Sequence, residues 1–344
     1  MCVGTQWKKR IVAIFMVSML GLFGCAAPED ASESLELVRA DAPTYSDEYI
    51  TVGFIQTGKE SDWRDANTND FLSTFTRENG YNLIYIDGNS DSDRQIKAMN
   101  DLISQEVDYI IIDPIVETGW NDSLLAAQEK GIPVIVSDRM VNADESLYTC
   151  WIGSDFETEG HKAAKWLEEY LESVGRTDET IRIVILEGTE GASAAIGRTN
   201  GLNAEIEKHE NWEVLTTRCA NFTQGEGKNI MEEILKEYED IDVLISENDN
   251  MMFGAMKAME QAGVSYGVDG DVITVSFDAL HEAFELMMEG KLMVSVECNP
   301  LIAGLSHEVI QKLEAGEEID MVNYVEESVF SYENAADYIN ERKY

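Results

Sequence analysis

Residues 109–113 read YIIID, a short run of aromatic and β-branched residues that ends at an acidic one. Alternate side chains of a strand point to opposite faces, so apolar residues at consecutive positions predict a strand that is covered on both faces. Strands of this kind are typical of parallel sheets with helices packed on both sides. The stretch therefore predicts an α/β fold built on a parallel sheet.

Runs of the same character recur along the chain and alternate with segments of helical period, which we predict over residues 62–79, 93–105 and 121–130. Repeated β-α-β units of this kind build doubly wound sheets. Eight or more strands, with a change of character near residues 151–156, predict two such lobes joined by crossing segments. The other strand-like runs are ITVGFI (50–55), NLIYID (82–87), IPVIVSD (132–138), IRIVILEG (181–188), IDVLISEND (241–249) and DVITVSFD (271–278).

The amino-terminal residues have the pattern of an export signal. Lys8, Lys9 and Arg10 precede an apolar run at 11–23 that is short for a membrane span but typical of a signal-peptide core. The next residues, LFGC, resemble a bacterial lipobox, in which Cys25 is acylated. We therefore predict a lipoprotein signal peptide at 1–24, an acidic spacer at 25–49, and a protein held at the outer face of the cell membrane by its lipid anchor alone.

The charge balance excludes several classes of partner. The chain has 25 basic and 66 acidic residues among 344, a formal net charge of −41. Such a surface repels phosphate backbones and anionic headgroups, so we expect no nucleic-acid partner. The acidic residues are interpreted as solvated helix faces that keep the protein soluble.

No motif in the sequence predicts a metal or a cofactor. The acidic run at 87–93 begins like a calcium loop, but Ser92 replaces the required glycine and Ala98 the bidentate glutamate. The glycine-rich stretch GTEGASAAIGR lacks the Lys-Ser/Thr ending of a phosphate loop. Cys150, Cys219 and Cys298 are too few and too far apart for a disulfide framework, which leaves one Cys150–Cys219 bridge as an alternative to buried free thiols.

Polar and aromatic side chains cluster after the predicted strands, where open α/β sheets bind their ligands. Carboxylate, amide and guanidinium groups pair with vicinal sugar hydroxyls, and aromatic rings pack on the apolar faces of a sugar ring. Four acids and three bases in the set are close to balance, which favours a neutral ligand. The candidate residues are Glu60, Trp63, Arg64, Asp138, Arg139, Arg198, Phe222, Asn248, Phe277, Asp278 and Glu297.

Several long segments identify a family resemblance over residues 50–330. The chain resembles the type I periplasmic sugar-binding proteins of ABC importers, and within them the galactofuranose-binding branch. The segments that carry the resemblance are VGFIQTGKESDWRDANTN, DRQIKAM, IDPIVETGW, IPVIVSDR, LEGTEGASAAIGRTNGL, ENDNMMFGAMKAMEQAG and SVECNP.

The resemblance implies a role for each candidate residue. Glu60, Trp63 and Arg64 look like the furanose-binding element, in which Trp63 walls the pocket, and Asp138 with Arg139 looks like the Asp-Arg pair of the first lobe. The remaining residues look like second-lobe groups: hydroxyl ligands at Arg198, Asn248 and Asp278, ring-flanking aromatics at Phe222 and Phe277, and Glu297 where many ribose binders have glutamine.

The resemblance also implies the domain plan and the function. Three crossing hinge segments would join a first lobe (50–154 and about 298–325) to a second (155–297 and about 326–344). The monomeric protein would capture a neutral monosaccharide, such as galactofuranose or arabinofuranose, by hinge closure and deliver it to an ABC permease and its ATPase.

Two other classes of function remain as alternatives. A sugar-sensing module that presents its ligand to a membrane kinase or chemoreceptor would use the same pocket. A glycoside hydrolase would use a carboxylate pair such as Asp138 and Asp278, although the chain-wide resemblance to binding proteins argues against an enzyme. A transcriptional regulator of this fold would need a basic DNA-reading motif at the amino end, where this chain has an export signal.

Overall fold

A computed structural model of the protein describes residues 49–344. The predicted signal peptide, Cys25 and nearly all of the predicted spacer lie outside the described residues. Within residues 49–344, no helix is both long enough and apolar enough to cross a membrane.

The described residues form twelve strands and ten α-helices. The strands are β1 (Ile50–Gln56), β2 (Tyr81–Asp87), β3 (Tyr109–Ile112), β4 (Val134–Ser137), β5 (Cys150–Gly153), β6 (Ile181–Glu187), β7 (Trp212–Cys219), β8 (Val243–Ser246), β9 (Ile273–Asp278), β10 (Val294–Glu297), β11 (Val322–Tyr324) and β12 (Val329–Ser331). The helices are α1 (Asp62–Thr74), α2 (Ser92–Ser104), α3 (Asn121–Lys130), α4 (Phe156–Ser173), α5 (Ser193–Ile206), α6 (Gln224–Glu237), α7 (Asp249–Ala262), α8 (His281–Met288), α9 (Ala303–Ala315) and α10 (Ala335–Tyr338).

The strands form two six-stranded sheets of the same plan. The first has the order β11-β5-β4-β3-β1-β2 and the second β12-β10-β9-β8-β6-β7. Every pairing is parallel except that of β12 with β10. The prediction of two parallel-sheet α/β lobes is confirmed.

The YIIID run shows why the sheets are covered on both faces. Ile110 and Ile112 pack in one apolar cluster of the first lobe with Leu102 and Leu124 from α2 and α3. Ile111 points the other way, into the second cluster of that lobe, which α1 and α9 cover. Both faces of β3 are therefore buried, as the run of consecutive apolar residues predicts.

The chain passes between the sheets three times, after β5, after β10 and between β11 and β12. Glu327, on the third crossing, forms hydrogen bonds with the other two crossings. Its Oε1 accepts hydrogen bonds from Ser154 Oγ on the first crossing at 2.5 Å and from Asn299 N on the second at 2.9 Å. The three crossings thus form one hydrogen-bonded hinge.

Helix α1 begins shortly after β1 and carries Trp63 and Arg64 in its first turn. Ser61 caps the helix by accepting a hydrogen bond from the backbone N–H of Arg64 at 3.2 Å, which fixes the first turn. The helix ends at Thr74, and a separate 3₁₀ turn covers 77–79, so the single helix predicted over 62–79 is broken near its end. The three cysteines in the described residues, Cys150, Cys219 and Cys298, are free thiols.

Candidate functional site

A cavity of about 280 Å³ lies between the two lobes, at the carboxyl ends of the strands. All the predicted site residues except Phe277 and Glu297 line it. The full lining is Glu60, Ser61, Trp63, Arg64, Asp138, Arg139, Phe156, Ala194, Arg198, Phe222, Asn248, Asp278 and Cys298.

Arg64 is the centre of the first-lobe wall. Its Nη1 donates to Asp113 Oδ2 and its Nη2 to Asp138 Oδ2, both at 2.7 Å, and Glu60 Oε1 lies 3.3 Å from Nη2. All four side chains have little or no exposed surface. A buried guanidinium is tolerated only when it is paired in this way, so the carboxylates fix its position in the wall.

Glu60 links Arg64 to Arg139, whose Nη2 donates to the same Glu60 Oε1 at 2.5 Å. Burial opposes the charged form of Glu60, but the two guanidinium groups outweigh burial and lower its pKa. Glu60 is therefore an ionised acceptor at neutral pH. Arg139 Nε, by contrast, is buried without a hydrogen-bond partner among the described residues.

Three aromatic rings line the cavity: Trp63 comes from the first lobe, and Phe156 and Phe222 come from the second. The Arg64 guanidinium lies 4.5 Å from the centroid of the Trp63 ring, and Trp63 Nε1 donates to the Cys298 carbonyl of the hinge at 2.6 Å. The Arg139 guanidinium lies 5.0 Å from the Phe222 ring of the second lobe. These cation–π contacts hold both rings in place in the cavity wall.

Arg198 of α5 is the centre of the second-lobe wall. Its Nε donates to Glu159 Oε2 at 2.7 Å, its Nη1 donates to the Glu247 carbonyl, and Asp278 Oδ1 lies 3.6 Å from Nη2. The Phe156 and Phe277 rings lie 5.5 and 5.0 Å from the guanidinium carbon. Arg198 is thus fixed on every side and presents a positioned cation to the cavity.

Asp138 and Asp278 occupy equivalent places, after β4 and at the end of β9, one in each lobe. Their φ angles of 55° and 103° are positive, which is uncommon outside glycine and concentrates at ligand sites. Burial raises the pKa of Asp278 well above its ordinary value, Arg198 opposes the rise, and Asp249 adds to it. A protonated Asp278 can donate to a ligand oxygen as well as accept.

The remaining predicted residues have structural contacts of their own. Asn248 lines the cavity, but its side chain caps α7 through Met251 N at 2.9 Å and donates to the Phe222 carbonyl at 3.0 Å. Phe277 lies in the apolar core of the second lobe, behind Arg198. Glu297 points away from the cavity and binds Arg342 Nη1 at 2.5 Å and the Tyr344 hydroxyl at 3.0 Å.

Sequence reasoning missed several residues that line or support the cavity. Phe156 and Cys298 follow strands β5 and β10, which are only four residues long and are not among the predicted runs. Asp113 follows the predicted strand directly, and this position does indicate the strand-end region, but Asp113 is not among the candidate residues. Glu159 lies inside a helix, where sequence gives no sign that it pairs with Arg198.

The lobes are in contact around the cavity. Asp62 N donates to Asn250 Oδ1 at 3.1 Å, and Asn250 Nδ2 donates back to Asp62 Oδ2 at 2.7 Å. On another side, Met140 N donates to Ser193 Oγ at 2.7 Å and Glu117 N to the Gly191 carbonyl at 3.0 Å. The molecule is therefore in a closed arrangement in which the cavity walls come from both lobes.

Comparison with protein families decides what kind of site this is. A model of the periplasmic binding protein domain matches residues 52–317. The chain belongs to the periplasmic binding protein family. As a periplasmic binding protein it binds a solute and is not an enzyme, so the glycoside-hydrolase alternative is excluded.

Similar periplasmic binding proteins share both sequence and fold with the chain. It is 32% identical to the galactofuranose-binding protein YtfQ of Escherichia coli over 89% of both chains. A crystal structure from Mycobacterium smegmatis in complex with β-D-fucofuranose has a TM-score of 0.81 and 37% identity, over 86% of this chain and 95% of that one. The arabinose-transporter binding protein of Shewanella sp. ANA-3, bound to L-arabinofuranose, has a TM-score of 0.79 and 34% identity, over 85% and 95%.

Proposed function

We propose that the protein is an exported, lipid-anchored binding protein that captures a neutral furanose between its lobes and delivers it to an ABC importer. One observation carries the proposal: Arg64, Arg139 and Asp138 of one lobe face Arg198 and Asp278 of the other across a single small cavity. Charged planar groups on two opposed walls suit a compact polyol. The furanose-bound structures of similar proteins support the same ligand class.

The free hydrogen-bonding positions fit hydroxyl groups rather than a charged ligand. Arg139 Nε is a buried donor without a partner in the described residues, and burial favours a proton on Asp278. Together with the ionised Glu60, these groups supply both donors and acceptors, which vicinal hydroxyls require. A sugar phosphate would bring two negative charges next to Glu60 and Asp138, which are already paired with guanidinium groups.

Lobe closure couples binding to recognition by the importer. Each lobe alone would leave its charged wall in water, whereas closure buries the ligand against both walls and forms the Asp62–Asn250 contact. The three crossings act as the hinge, since two-lobed periplasmic binding proteins close around their ligands by rotation about such segments. The closed form is the species that an importer would select.

Calorimetric titration with a matched pair of glycosides tests the ligand class. We expect methyl β-D-galactofuranoside or methyl α-L-arabinofuranoside to bind and the corresponding pyranosides, which have the same atoms in six-membered rings, to bind at least tenfold more weakly. At about 100 times its dissociation constant the bound furanoside should add about 2.7 kcal/mol to the free energy of unfolding. Equal binding of both ring forms, or of neither, would contradict the furanose assignment.

The lipid anchor has its own test. Cells that express the chain and its Cys25→Ala variant are grown with labelled palmitate and fractionated. We expect label and membrane association for the parent chain only. A parent chain that is released without label would contradict the anchor but leave the sugar-binding proposal intact.

A further inference from the structure

A second, larger cavity continues the interlobe cleft beyond the site described above. It encloses about 990 Å³, counting the part open to solvent, against about 280 Å³ for the inner cavity. We call it the outer cleft. It is lined by Lys59, Glu60, Asp87, Asn89, Ser90, Ile115, Thr189, Asn221, Thr223 and Glu226.

The outer cleft lies on the side of the molecule away from the hinge. Asp87 ends β2, the edge strand of the first sheet, and Asn221 follows β7, the edge strand of the second. The hinge crossings leave from the opposite edges of both sheets. Among the described residues, no hydrogen bond joins the first-lobe wall of the outer cleft to its second-lobe wall, so this part of the cleft remains open when the inner cavity is closed.

Glu60 lines both cavities and marks their boundary. Of its two carboxylate oxygens, Oε1 accepts the hydrogen bonds that Glu60 receives from Arg64 and Arg139, which leaves Oε2 without a protein donor among the described residues. The turn after β7 is divided in the same way: Phe222 faces the inner cavity, whereas Asn221 and Thr223 on either side of it face the outer cleft. The two cavities are therefore adjacent parts of one groove.

The lining of the outer cleft is chemically suited to more sugar. Hydroxyl, amide and carboxylate groups come from both walls, the Lys59 ammonium comes from the first lobe, and Ile115 is the apolar residue among them. Such a set hydrogen-bonds a polyol in any of several orientations. It is a poor site for an apolar or a strongly anionic group, since its ionisable members are three acids besides Lys59.

We propose that the protein takes glycosidically extended furanoses, with the terminal furanose in the inner cavity and the next sugar unit in the outer cleft. The inference rests on the proposed function, because it assigns the inner cavity to the terminal ring. The lobes close on that ring while the extension leaves past Glu60 into the open part of the groove. The ligand class is therefore a short furanosyl oligosaccharide, and a free monosaccharide fills only part of the site.

Calorimetry with a β-D-galactofuranosyl disaccharide and with methyl β-D-galactofuranoside, or with the arabinofuranosyl equivalents, tests the inference. We expect the disaccharide to bind about tenfold more tightly, which corresponds to about one net hydrogen bond in the outer cleft. Thr189→Trp places an indole in the outer cleft and should reduce this advantage without changing the affinity for the methyl furanoside. Thr177→Trp, in an exposed turn before β6, is the matched control and should behave as the parent protein.

The outcomes separate this inference from the proposal on which it rests. If the methyl furanoside binds and the disaccharide binds no more tightly or not at all, the outer cleft takes no second unit and only the extended-ligand inference falls. If Thr189→Trp leaves the disaccharide advantage intact, the extension lies elsewhere and the inference also falls. If neither compound binds, the furanose assignment fails and the inference fails with it.

Discussion

Arg64 Nη1 lies 2.7 Å from Asp113 Oδ2, so a fully buried carboxylate at the end of β3 supports a guanidinium that lines the cavity. Asp113 itself does not line the cavity, and it acts on a ligand through Arg64. It is a positioning residue, and its loss should affect both the fold and the site.

Replacement of Asp113 by alanine should lower stability and ligand affinity together. The change removes one of the carboxylates that pair with a buried cation, which should cost about 1–3 kcal/mol of unfolding free energy in urea denaturation. Asp269→Ala, in an exposed loop, is the control and should change neither quantity. An unchanged furanoside affinity in Asp113→Ala would show that Arg64 is positioned by Asp138 and Glu60 alone.

Replacement of Arg139 by alanine should weaken binding more than it weakens the fold. The variant loses the Glu60 ion pair, the contact with Phe222 of the other lobe, and the unpartnered Nε donor. A charged hydrogen bond is worth about 1.5–3 kcal/mol, so affinity in a calorimetric titration should fall about 10- to 150-fold. Arg176→Ala removes two ion pairs at the surface of the second lobe and should leave affinity unchanged. Equal effects of the two variants would argue against a ligand contact at Arg139.

Replacement of Asn250 by alanine should destabilise the closed arrangement. The variant loses both hydrogen bonds to Asp62 across the cleft, and a ligand held in the closed state should then dissociate up to about tenfold faster, with little change in association rate. Stopped-flow or surface-plasmon measurements give both rates. Asn211→Ala also loses two hydrogen bonds, but they lie within one lobe, so its dissociation rate should match the parent protein. If only the association rate fell, the Asp62–Asn250 contact would not act by stabilising the closed state, and the prediction would be wrong.

The hinge carboxyl Glu327 should make stability depend on pH. Burial, together with the nearby Glu159 carboxyl, raises its pKa to about 9, although hydrogen bonds from Ser154 and Asn299 act in the opposite direction. A pKa above the ordinary 4.5 means that the folded protein holds a proton that the unfolded chain releases. This contribution is complete below about pH 4.5 and is lost as the pH rises towards 9.

Glu327→Gln should therefore flatten the decline in unfolding free energy between pH 5 and 9. Glutamine accepts the same hydrogen bonds at its side-chain oxygen. Its amide nitrogen carries its hydrogen atoms at every pH in this range, so the side chain does not titrate. A residual slope should remain, because burial also raises the pKa of Glu247 to about 8 and of Asp249 to about 7. Glu326→Gln, at the exposed neighbouring position, is the control. Parallel profiles for Glu327→Gln and the parent protein would disprove the role of Glu327.

The sequence predicts the fold well because the same pattern of short apolar runs recurs along the chain. Each of the predicted apolar runs independently indicates a strand, and the runs alternate with segments of helical period. Five strands were missed. Strands β5 and β10 are buried but have only four residues each, and the other three have weaker patterns. Strand β7 is an edge strand with mostly exposed or half-buried residues, and β11 and β12 have only three residues each.

Two of the predicted site residues, Phe277 and Glu297, lie outside the cavity for the same reason. Phe277 and Asp278 are neighbours at the end of β9, and Glu297 and Cys298 are neighbours at the end of β10. Successive side chains of a strand point to opposite faces, so only one of each pair can face the cleft. In a strand buried on both faces the apolar pattern does not show which one, and the structure places Asp278 and Cys298 at the cavity.

The strand order has a consequence for how the chain is made. Both sheets receive their last strand from β11 and β12, close to the carboxyl end, and β11 joins β5 only after the whole series from β6 to β10 has been synthesised. Neither lobe can complete its sheet while the ribosome is still producing the other. Because pairing between segments so distant along the chain is slow, a nascent polypeptide of this topology stays incompletely folded until its final residues emerge. An incompletely folded chain is the form that an export machinery for unfolded polypeptides requires.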